Sequence, residues 1–394
     1  MLLFVIALLS FQAKCALAQV TLAEVGHFTN SSTIYGLAVD SAVAGHYAYL
    51  ANAHDGLRIY DLSDLANITN VGYASNTSNG AASGVAVSGS HAYVANANDG
   101  LRVYDISHPT NITDVGHLSN IGSAVGVAVA GNYAYLAVQN QGLIVCDVSA
   151  PANPVNVGHV FEPTIAMDAS GVAVSGNFAY LANGRDGLRI YDISDPTNPM
   201  DVGHASEPDS GGVALGVAVS GRYAYLASDG DGLRIYDISD PTNPSGVGFY
   251  ALQHGTPYRV AVSGHYAYLA NGREGLRIYN VFDPTNIVEV GHTAPNDAVL
   301  TVGVTISGNY VYSANQQDGL RIYAQQPQLG MSLTGTNTIL ISWPTLAPFA
   351  LQQTAYLTMA DWVTLTNAPV PFGAKSQVVI PRPPGNAFYR LMSQ

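Results

Sequence analysis

The sequence predicts an all-β protein, a seven-bladed β-propeller followed by a small β-sandwich-like domain, and three observations carry this prediction. Gly-Leu-Arg-Ile-Tyr-Asp or a near copy recurs seven times, at intervals of 42 to 45 residues. Each interval holds four short strand-like segments, and no stretch shows a sustained 3.6-residue apolar period. A repeat of this length with four strands matches one propeller blade. The copies begin at Gly56, Gly100, Gly142, Gly187, Gly232, Gly275 and Gly319.

The turn chemistry between the four segments fits antiparallel blades. Gly176-Asn177 can take positive φ, which a tight hairpin between the first two strands requires. Asp186-Gly187 is predicted as the turn between the second and third strands. The run from Asp195 to Pro199 follows the third strand and should end it, because proline has no N–H to donate to the ladder. A closing Val-Gly-X segment supplies the fourth strand.

The closing segments also predict how the ring shuts. Val-Gly-X occurs seven times, but its first copy, at Val25, precedes all other segments, and the seventh repeat ends at Tyr323 without one. We therefore expect the segment from Val20 to Phe28 to complete the last blade, which gives seven blades and leaves no open sheet edge at the closure.

Both termini lie outside the repeats. Residues 1–18 are predicted to be a signal peptide, with an apolar stretch from Leu2 to Ser10 and a cleavage site at Ala16-Leu17-Ala18. The protein is thus expected to be exported to an extracellular, periplasmic or cell-surface location, with no transmembrane span. Residues 19–324 form the propeller, residues 325–328 a linker, and residues 329–394 the β-sandwich-like module, with Trp343 and Trp362 in its core.

Charge and cysteine content exclude some function classes. The chain has 14 Lys and Arg against 27 Asp and Glu, a formal charge of −13, so nucleic acid is not an expected partner. Cys146 is the only cysteine after residue 18 and occupies a strand position that is Tyr in other repeats. It is expected to be a packed, unreactive thiol, and no disulfide is possible in the processed chain.

The repeat text resembles a known family. The run from Gly187 to Pro199, Gly-Leu-Arg-Ile-Tyr-Asp-Ile-Ser-Asp-Pro-Thr-Asn-Pro, resembles the LVIVD repeat of bacterial and archaeal cell-surface proteins. The resemblance implies a propeller at the cell surface and carries no active site. The segments around Trp343, Trp362 and Phe388-Tyr389-Arg390 resemble a C-terminal module of secreted planctomycete and verrucomicrobial proteins, which implies bacterial export.

Repeated polar residues indicate structural roles. One Arg position recurs in six repeats and an Asp at the end of the same motif in five; each Arg is expected to be held by acceptors of its own or the adjacent blade, such as the nearby Asp. The alternative is an Arg-lined channel that binds anions. A closing His is shared with Tyr and Phe and should pack or bond locally. The residues are Arg58, Arg102, Arg189, Arg234, Arg277 and Arg321; Asp61, Asp105, Asp147, Asp192 and Asp237; and His27, His117, His159, His204 and His292.

Function is expected where the repeats differ. The loops between blades vary in length and text, and in a propeller they share one face with the turns between second and third strands. This face is predicted to be acidic and to bind a protein or a polysaccharide without catalysis, on a propeller expected to be monomeric. Its candidate binding residues are His54, Asp99, Arg185, Asp186, Asp229, Asp231, Arg273, Glu274 and Asp318.

Two other chemistries remain open on this face. Asp229 and Asp231 are closely spaced in a turn and could bind calcium, although the distal Glu of an EF-hand loop is missing; no other cofactor is expected. An extracellular carbohydrate-active enzyme, a hydrolase or lyase, would need paired carboxylates at a defined separation. The candidates for that pair are Glu162, Asp168, Glu207 and Asp209.

Overall fold

A computed structural model of the chain contains strands and turns and, among the residues that it describes, no helix. The described residues are 20–29, 36–76, 80–161, 169–206, 212–293, 299–327, 329–334, 338–344, 349–354, 362–372, 375–383 and 387–393. The predicted signal peptide lies outside them. No helix in the described part of the chain could cross a bilayer.

Seven four-stranded antiparallel sheets form the blades, and six of them use consecutive strands. The N-terminal strand, β1, is Val20–Phe28. Blade one is β2 (Gly36–Ala44), β3 (Tyr47–Ala53), β4 (Leu57–Asp61) and β5 (Thr69–Ala74). Blade two is β6 (Gly84–Ser88), β7 (His91–Ala95), β8 (Leu101–Asp105) and β9 (Thr113–Leu118). Blade three is β10 (Ser123–Ala130), β11 (Tyr133–Gln139), β12 (Gly142–Asp147) and β13 (Val155–Val160). Blade four is β14 (Ala169–Ser175), β15 (Phe178–Asn183), β16 (Leu188–Asp192) and β17 (Met200–Ala205).

The remaining blades follow the same order. Blade five is β18 (Val213–Ser220), β19 (Tyr223–Asp229), β20 (Gly232–Asp237) and β21 (Ser245–Ala251). Blade six is β22 (Arg259–Ser263), β23 (Tyr266–Ala270), β24 (Leu276–Asn280) and β25 (Val288–His292). Blade seven is β26 (Gly303–Ser307), β27 (Tyr310–Ala314), β28 (Leu320–Pro327) and β1.

The ring closes as the sequence predicts. β1 pairs antiparallel with β28, from Val20 opposite Pro327 to Phe28 opposite Leu320. A second link joins blade seven to blade one, where Ala38 and Gln316 form a two-bond backbone bridge. The linker expected at residues 325–328 is corrected for residues 325–327. These residues continue β28 as far as Pro327, because the start of β1 supplies their hydrogen-bond partners.

The apolar core lies between blades rather than within them. Seven clusters of buried side chains each join two adjacent blades, since both faces of a blade are covered by its neighbours. Cys146 belongs to the cluster between blades two and three and is fully buried. The expected packed thiol is therefore confirmed, and burial raises its pKa to about 12, which disfavours the reactive thiolate.

Two further sheets follow the propeller. One has the order β29 (Gly330–Leu333), β30 (Thr338–Pro344), β34 (Lys375–Pro381), β33 (Val370–Phe372), and the other β32 (Val363–Thr364), β31 (Phe349–Thr354), β35 (Phe388–Ser393). One buried cluster joins residues of both sheets, as expected for a sandwich. Trp343 is 1% exposed and belongs to this core. The expectation that Trp362 also lies in this core is corrected. Trp362 is only partly buried, and the Arg390 guanidinium lies 4.3 Å from its ring centroid.

Candidate binding face

The loop-bearing face is the side of the propeller that holds the turns between second and third strands and the loops between blades. On this face, a backbone bridge joins the end of a second strand to the loop of the next blade. Ala53 pairs with Ala82 across blades one and two, and Gly272 pairs with Thr301 across blades six and seven. These bridges fix the positions of the turns that carry the predicted binding residues.

The turn acids on this face are held by the repeated arginines. Arg102 Nε lies 2.6 Å from Asp99 Oδ2, three residues before it, and five other blades repeat the contact. Each of these six carboxylates of the predicted acidic face therefore has a cationic partner within its own blade. The pairs are Asp55 with Arg58, Asp99 with Arg102, Asp186 with Arg189, Asp231 with Arg234, Glu274 with Arg277 and Asp318 with Arg321.

In four blades the arginine also contacts an acid on the fourth strand. Arg102 Nη1 lies 2.5 Å from Asp114 Oδ2, and Asp201, Glu289 and Glu24 take the same role in blades four, six and seven. The Asp at the end of the motif is not the partner, which corrects the sequence expectation. Asp105 and its equivalents instead accept the backbone N–H of a Ser two residues later in five blades.

These contacts favour the charged form of two turn carboxylates, Asp99 and Asp186. Burial acts to raise the pKa of Asp99, but hydrogen bonds from Arg102 and Asn96 outweigh it and the pKa lies below its ordinary value. Asp186 behaves alike: burial opposes the charged form, and Arg189, His204 and Asn183 together lower the pKa. Such carboxylates are structural partners rather than proton donors near neutral pH.

The closing histidines bond locally, as expected. Nε2 of His117 donates to the Asp99 carbonyl at 2.8 Å, and His27, His159 and His204 make the same contact in their blades. His292 instead bonds Glu289 through Nδ1, at 2.9 Å. Where Tyr or Phe replaces His, the fourth strand lacks the acid and the ring packs on the arginine. Arg234 lies 4.5 Å from the Phe249 ring centroid, and Arg58 lies 5.2 Å from that of Tyr73.

Blade three indicates that the arginine and the turn acid form one unit, which the fourth-strand acid joins in four other blades. The arginine is replaced by Ile144, the turn acid by Gln141 and the fourth-strand acid by Asn156, so all three charges are absent together. Such joint replacement is expected where a partly buried charge left without its partner is costly.

This arrangement predicts the effect of transferring the blade-three set to blade two. We expect Arg102→Ile alone to cost about 1–3 kcal/mol, because it leaves Asp99, 12% exposed, without its cation. The triple variant Asp99→Gln, Arg102→Ile, Asp114→Asn should recover most of that loss. Denaturant unfolding of the three proteins measures the difference, and a triple variant less stable than the single one would contradict the unit.

The calcium candidates do not form an open pair. Asp231 is 4% exposed and bonds Arg234 Nη2 at 2.8 Å, whereas Asp229 ends β19 and is partly exposed. Within the described ranges, no three His, Cys, Asp or Glu side chains are grouped in a way that suits a metal ion. The four carboxylates of the enzymatic alternative, Glu162, Asp168, Glu207 and Asp209, lie outside the described residues.

The other predicted binding residues lie on the loop-bearing face. Arg185 and Arg273 are exposed at the same turn position of blades four and six. The exposed His54 bonds the Gly80 carbonyl through Nδ1 at 3.1 Å and so ties its turn to the next loop. Of the nine candidates, Arg273 alone lines a cavity described for this face.

That cavity lies between blades six and seven and has a volume of about 370 Å³. We call it the blade 6–7 cavity. Its wall is mostly polar, and its charged members come from the turn of blade six and from the outer strands of blades six and seven. The lining residues are Leu22, Glu24, Arg273, Gly275, His292, Thr293, Val299, Thr301, Asn315, Arg321 and Tyr323.

A second irregularity lies at the propeller axis, and the sequence analysis missed it. The innermost strands carry Gly at one position in five blades, and Asp40 and Arg259 occupy it in blades one and six. Asp40 accepts the N–H groups of Ser41 and Val85, and Arg259 Nη1 donates to the Leu215 carbonyl at 2.7 Å. Burial raises the pKa of Asp40, against the field of Arg259. An alignment of the repeats on Val-Ala-Val would have identified both residues as departures from the repeat.

The model of the LVIVD repeat matches seven segments that together span most of the propeller. The chain belongs to the LVIVD repeat family. The matched segments are residues 35–74, 79–119, 121–161, 166–205, 211–251, 254–294 and 301–322. No curated protein matches the chain. The C-terminal module lies outside the matched segments, so its resemblance to secreted bacterial modules stays an expectation.

Solved structures share the propeller fold at low identity. The β-propeller domain of Myceliophteria thermophila Cps50 (Swd1) has a TM-score of 0.55 at 13% identity, covering 76% of this chain and 99% of that one. The WD40 domain of Neurospora crassa Pan2 has a TM-score of 0.56 at 11% identity, with 77% and 95% covered. The computationally designed Ika8 protein has a TM-score of 0.53 at 10% identity, with 76% and 99% covered. These similarities concern the fold alone.

Proposed function

We propose that this protein is an exported, non-enzymatic binding protein that takes a protein or glycan ligand on its loop-bearing face. One observation carries the proposal: the blade 6–7 cavity opens among the turns and loops of that face. The opposite rim is built from hairpin turns and Asp-Pro-Thr-Asn-Pro linkers that are nearly the same from blade to blade, and it therefore offers little for selective recognition.

The charge pattern of the face supports binding more than catalysis. Most turn acids are paired with arginines, so the groups left to meet a ligand are exposed turn side chains and the variable loops. A rigid disc that presents such loops is preorganised, which lowers the entropic cost of binding. The predicted signal peptide, together with the family resemblance to cell-surface proteins, supports an extracellular location.

Site-specific blocking tests this proposal. In the chain that starts at residue 19, Cys146 is fully buried, so an introduced cysteine becomes the reactive thiol. A polyethylene glycol maleimide is attached at Gln317→Cys on the loop-bearing face or, as the matched control, at Asn177→Cys on the opposite rim. Both positions are exposed turn residues. Binding is measured against a panel of polysaccharides and purified extracellular proteins.

We expect the label at residue 317 to abolish binding and the label at residue 177 to leave it unchanged. Binding that survives at 317 and disappears at 177 would place the ligand on the opposite rim. Cleavage of a bound polysaccharide by the unlabelled protein would instead favour the carbohydrate-active alternative.

A further inference from the structure

The blade 6–7 cavity is surrounded by departures from the repeat. Thr293, Thr301 and Ser313 are polar at positions that are apolar in the other six blades. Thr293 and Thr301 line the cavity, and Ser313 is fully buried behind Asn315. The equivalents of Thr293 are Phe28, Ala74, Leu118, Val160, Ala205 and Tyr250; of Thr301, Ala38, Ala82, Ala124, Ala169, Ala214 and Pro257; and of Ser313, Leu50, Val94, Leu136, Leu181, Leu226 and Leu269.

A fourth departure lies in the loop that leads into blade seven. Four residues before the axial position, five blades carry Gly, and in blades two and six this Gly lies directly over the Asn that ends the second strand. A Cβ on Gly80 would lie 2.4 Å from Asn96, and a Cβ on Gly255 would lie 2.5 Å from Asn271. Blade seven has Val299 at this position. Val299 and Asn315 both line the cavity.

The polar replacements form a hydrogen-bonded floor to this space. Thr301 Oγ1 donates to Asn315 Oδ1 at 2.7 Å, and Asn315 Nδ2 donates to Ser313 Oγ at 2.8 Å. In blades two and four, the equivalent Asn donates to its turn acid, and its Oδ1 has no partner among the described residues. Asn315 is thus held in place by side chains found only in blade seven, so the cavity is a built feature and not a packing gap.

The lining specifies a ligand class. Arg321 is already bonded to Asp318 and Glu24, so Arg273, which is exposed at its turn, is the guanidinium positioned to meet a ligand, and Thr293 adds a hydroxyl to the wall. Glu24, whose carboxylate bonds Arg321 at 2.5 Å, and His292 can accept hydrogen bonds. Guanidinium groups favour carboxylates, and neutral hydroxyl and carboxylate groups suit several ligand hydroxyls around one ring.

We propose that the blade 6–7 cavity binds a sugar acid, a single ring that carries a carboxylate and several hydroxyls, free or at the end of a glycan. Its volume of about 370 Å³ is close to the lower end, roughly 300 Å³, of ligand pockets and fits one small ring. Arg273 binds the carboxylate, and the more exposed Glu24 and His292, together with Thr293, meet the hydroxyls. This proposal rests on the proposed function, since it names the ligand class of that face.

The chain offers a matched pair of variants for the test. Arg273 and Arg185 occupy the same turn position and are both exposed, but only Arg273 borders this cavity. Ligand-observed NMR titrations use D-glucuronate, with its methyl ester, glucose and an acetylated dipeptide as comparisons. We expect glucuronate to bind the wild type, Arg273→Ala to weaken binding at least about tenfold, and Arg185→Ala to change it less than about twofold.

Each other outcome has a defined meaning. If the methyl ester or glucose binds as well as glucuronate, the carboxylate assignment is overturned. A dipeptide that binds more tightly than glucuronate would assign the cavity to peptide carboxyl ends and overturn the sugar acid. Absence of saturable glucuronate binding also overturns the proposal. The blocking experiment at residue 317 does not depend on Arg273, so the proposed function can stand when this inference fails.

Discussion

Gly248→Ala is expected to destabilise the propeller by about 3–5 kcal/mol, the range of severe core substitutions. A Cβ at Gly248, in the fourth strand of blade five, would lie 2.1 Å from the Pro284 carbonyl oxygen and 3.2 Å from Ile287 Cδ1. Pro284 belongs to the linker of blade six, so the clash cannot be relieved without moving one blade against the next. Denaturant unfolding midpoints measure the loss.

Gly246→Ala, two residues earlier on the same strand, is the matched control. A Cβ there would meet only the Tyr236 ring, at 3.9 Å, which is ordinary contact. We expect this variant to be neutral or more stable by about 0.4–1 kcal/mol, because alanine restricts the unfolded chain. Equal destabilisation by both variants would show that the strand rejects any side chain and that the contact between blades is not the cause.

The same contact explains why the Val-Gly motif requires glycine. The sequence showed only that the motif recurs. In blades two and four, a Cβ at Gly116 or Gly203 would lie 1.9 Å from the carbonyl oxygen of Pro151 or Pro241 in the next blade. Two motifs that are neighbours within each repeat are therefore coupled across the blade boundary, the Gly of one blade with the proline linker of the next. Periodicity predicted both motifs and the strand order, but a contact between successive blades has no signal within one repeat.

The site was less predictable than the fold. The turn acids were identified because they recur in turns, but their pairing with the arginines was missed. The fourth-strand acids that share the arginines are Asp in two blades and Glu in two, so no single residue type marks them: Asp114, Asp201, Glu289, Glu24. The cavity depends on single departures such as Val299 and Ser313, which the search for repeated text passed over. Comparing each blade with the other six at every position would have found them.

Removal of residues 19–28 should abolish cooperative folding of the propeller, a loss comparable to the whole stability of a typical domain, about 5–15 kcal/mol. The deletion removes β1, so β28 loses its outer partner and becomes an open edge. Val20, 2% exposed, leaves the cluster between blades six and seven, and Arg321 loses its contact with Glu24.

β1 also packs against blade six, in a contact that no other strand makes. A Cβ at Gly291 of blade six would lie 2.2 Å from the Val20 carbonyl oxygen, so Val20 takes the place that a linker proline takes in blades two to six. Size-exclusion chromatography and near-UV circular dichroism should show aggregated, unpacked protein after the deletion. A peptide of residues 19–28 added during refolding should restore the monomer.

Removal of residues 328–394, whose described strands pair only with one another, should leave the propeller's unfolding transition in place. A truncated protein without β1 that unfolds at the wild-type midpoint would mean that the bridge between Ala38 and Gln316 closes the ring by itself.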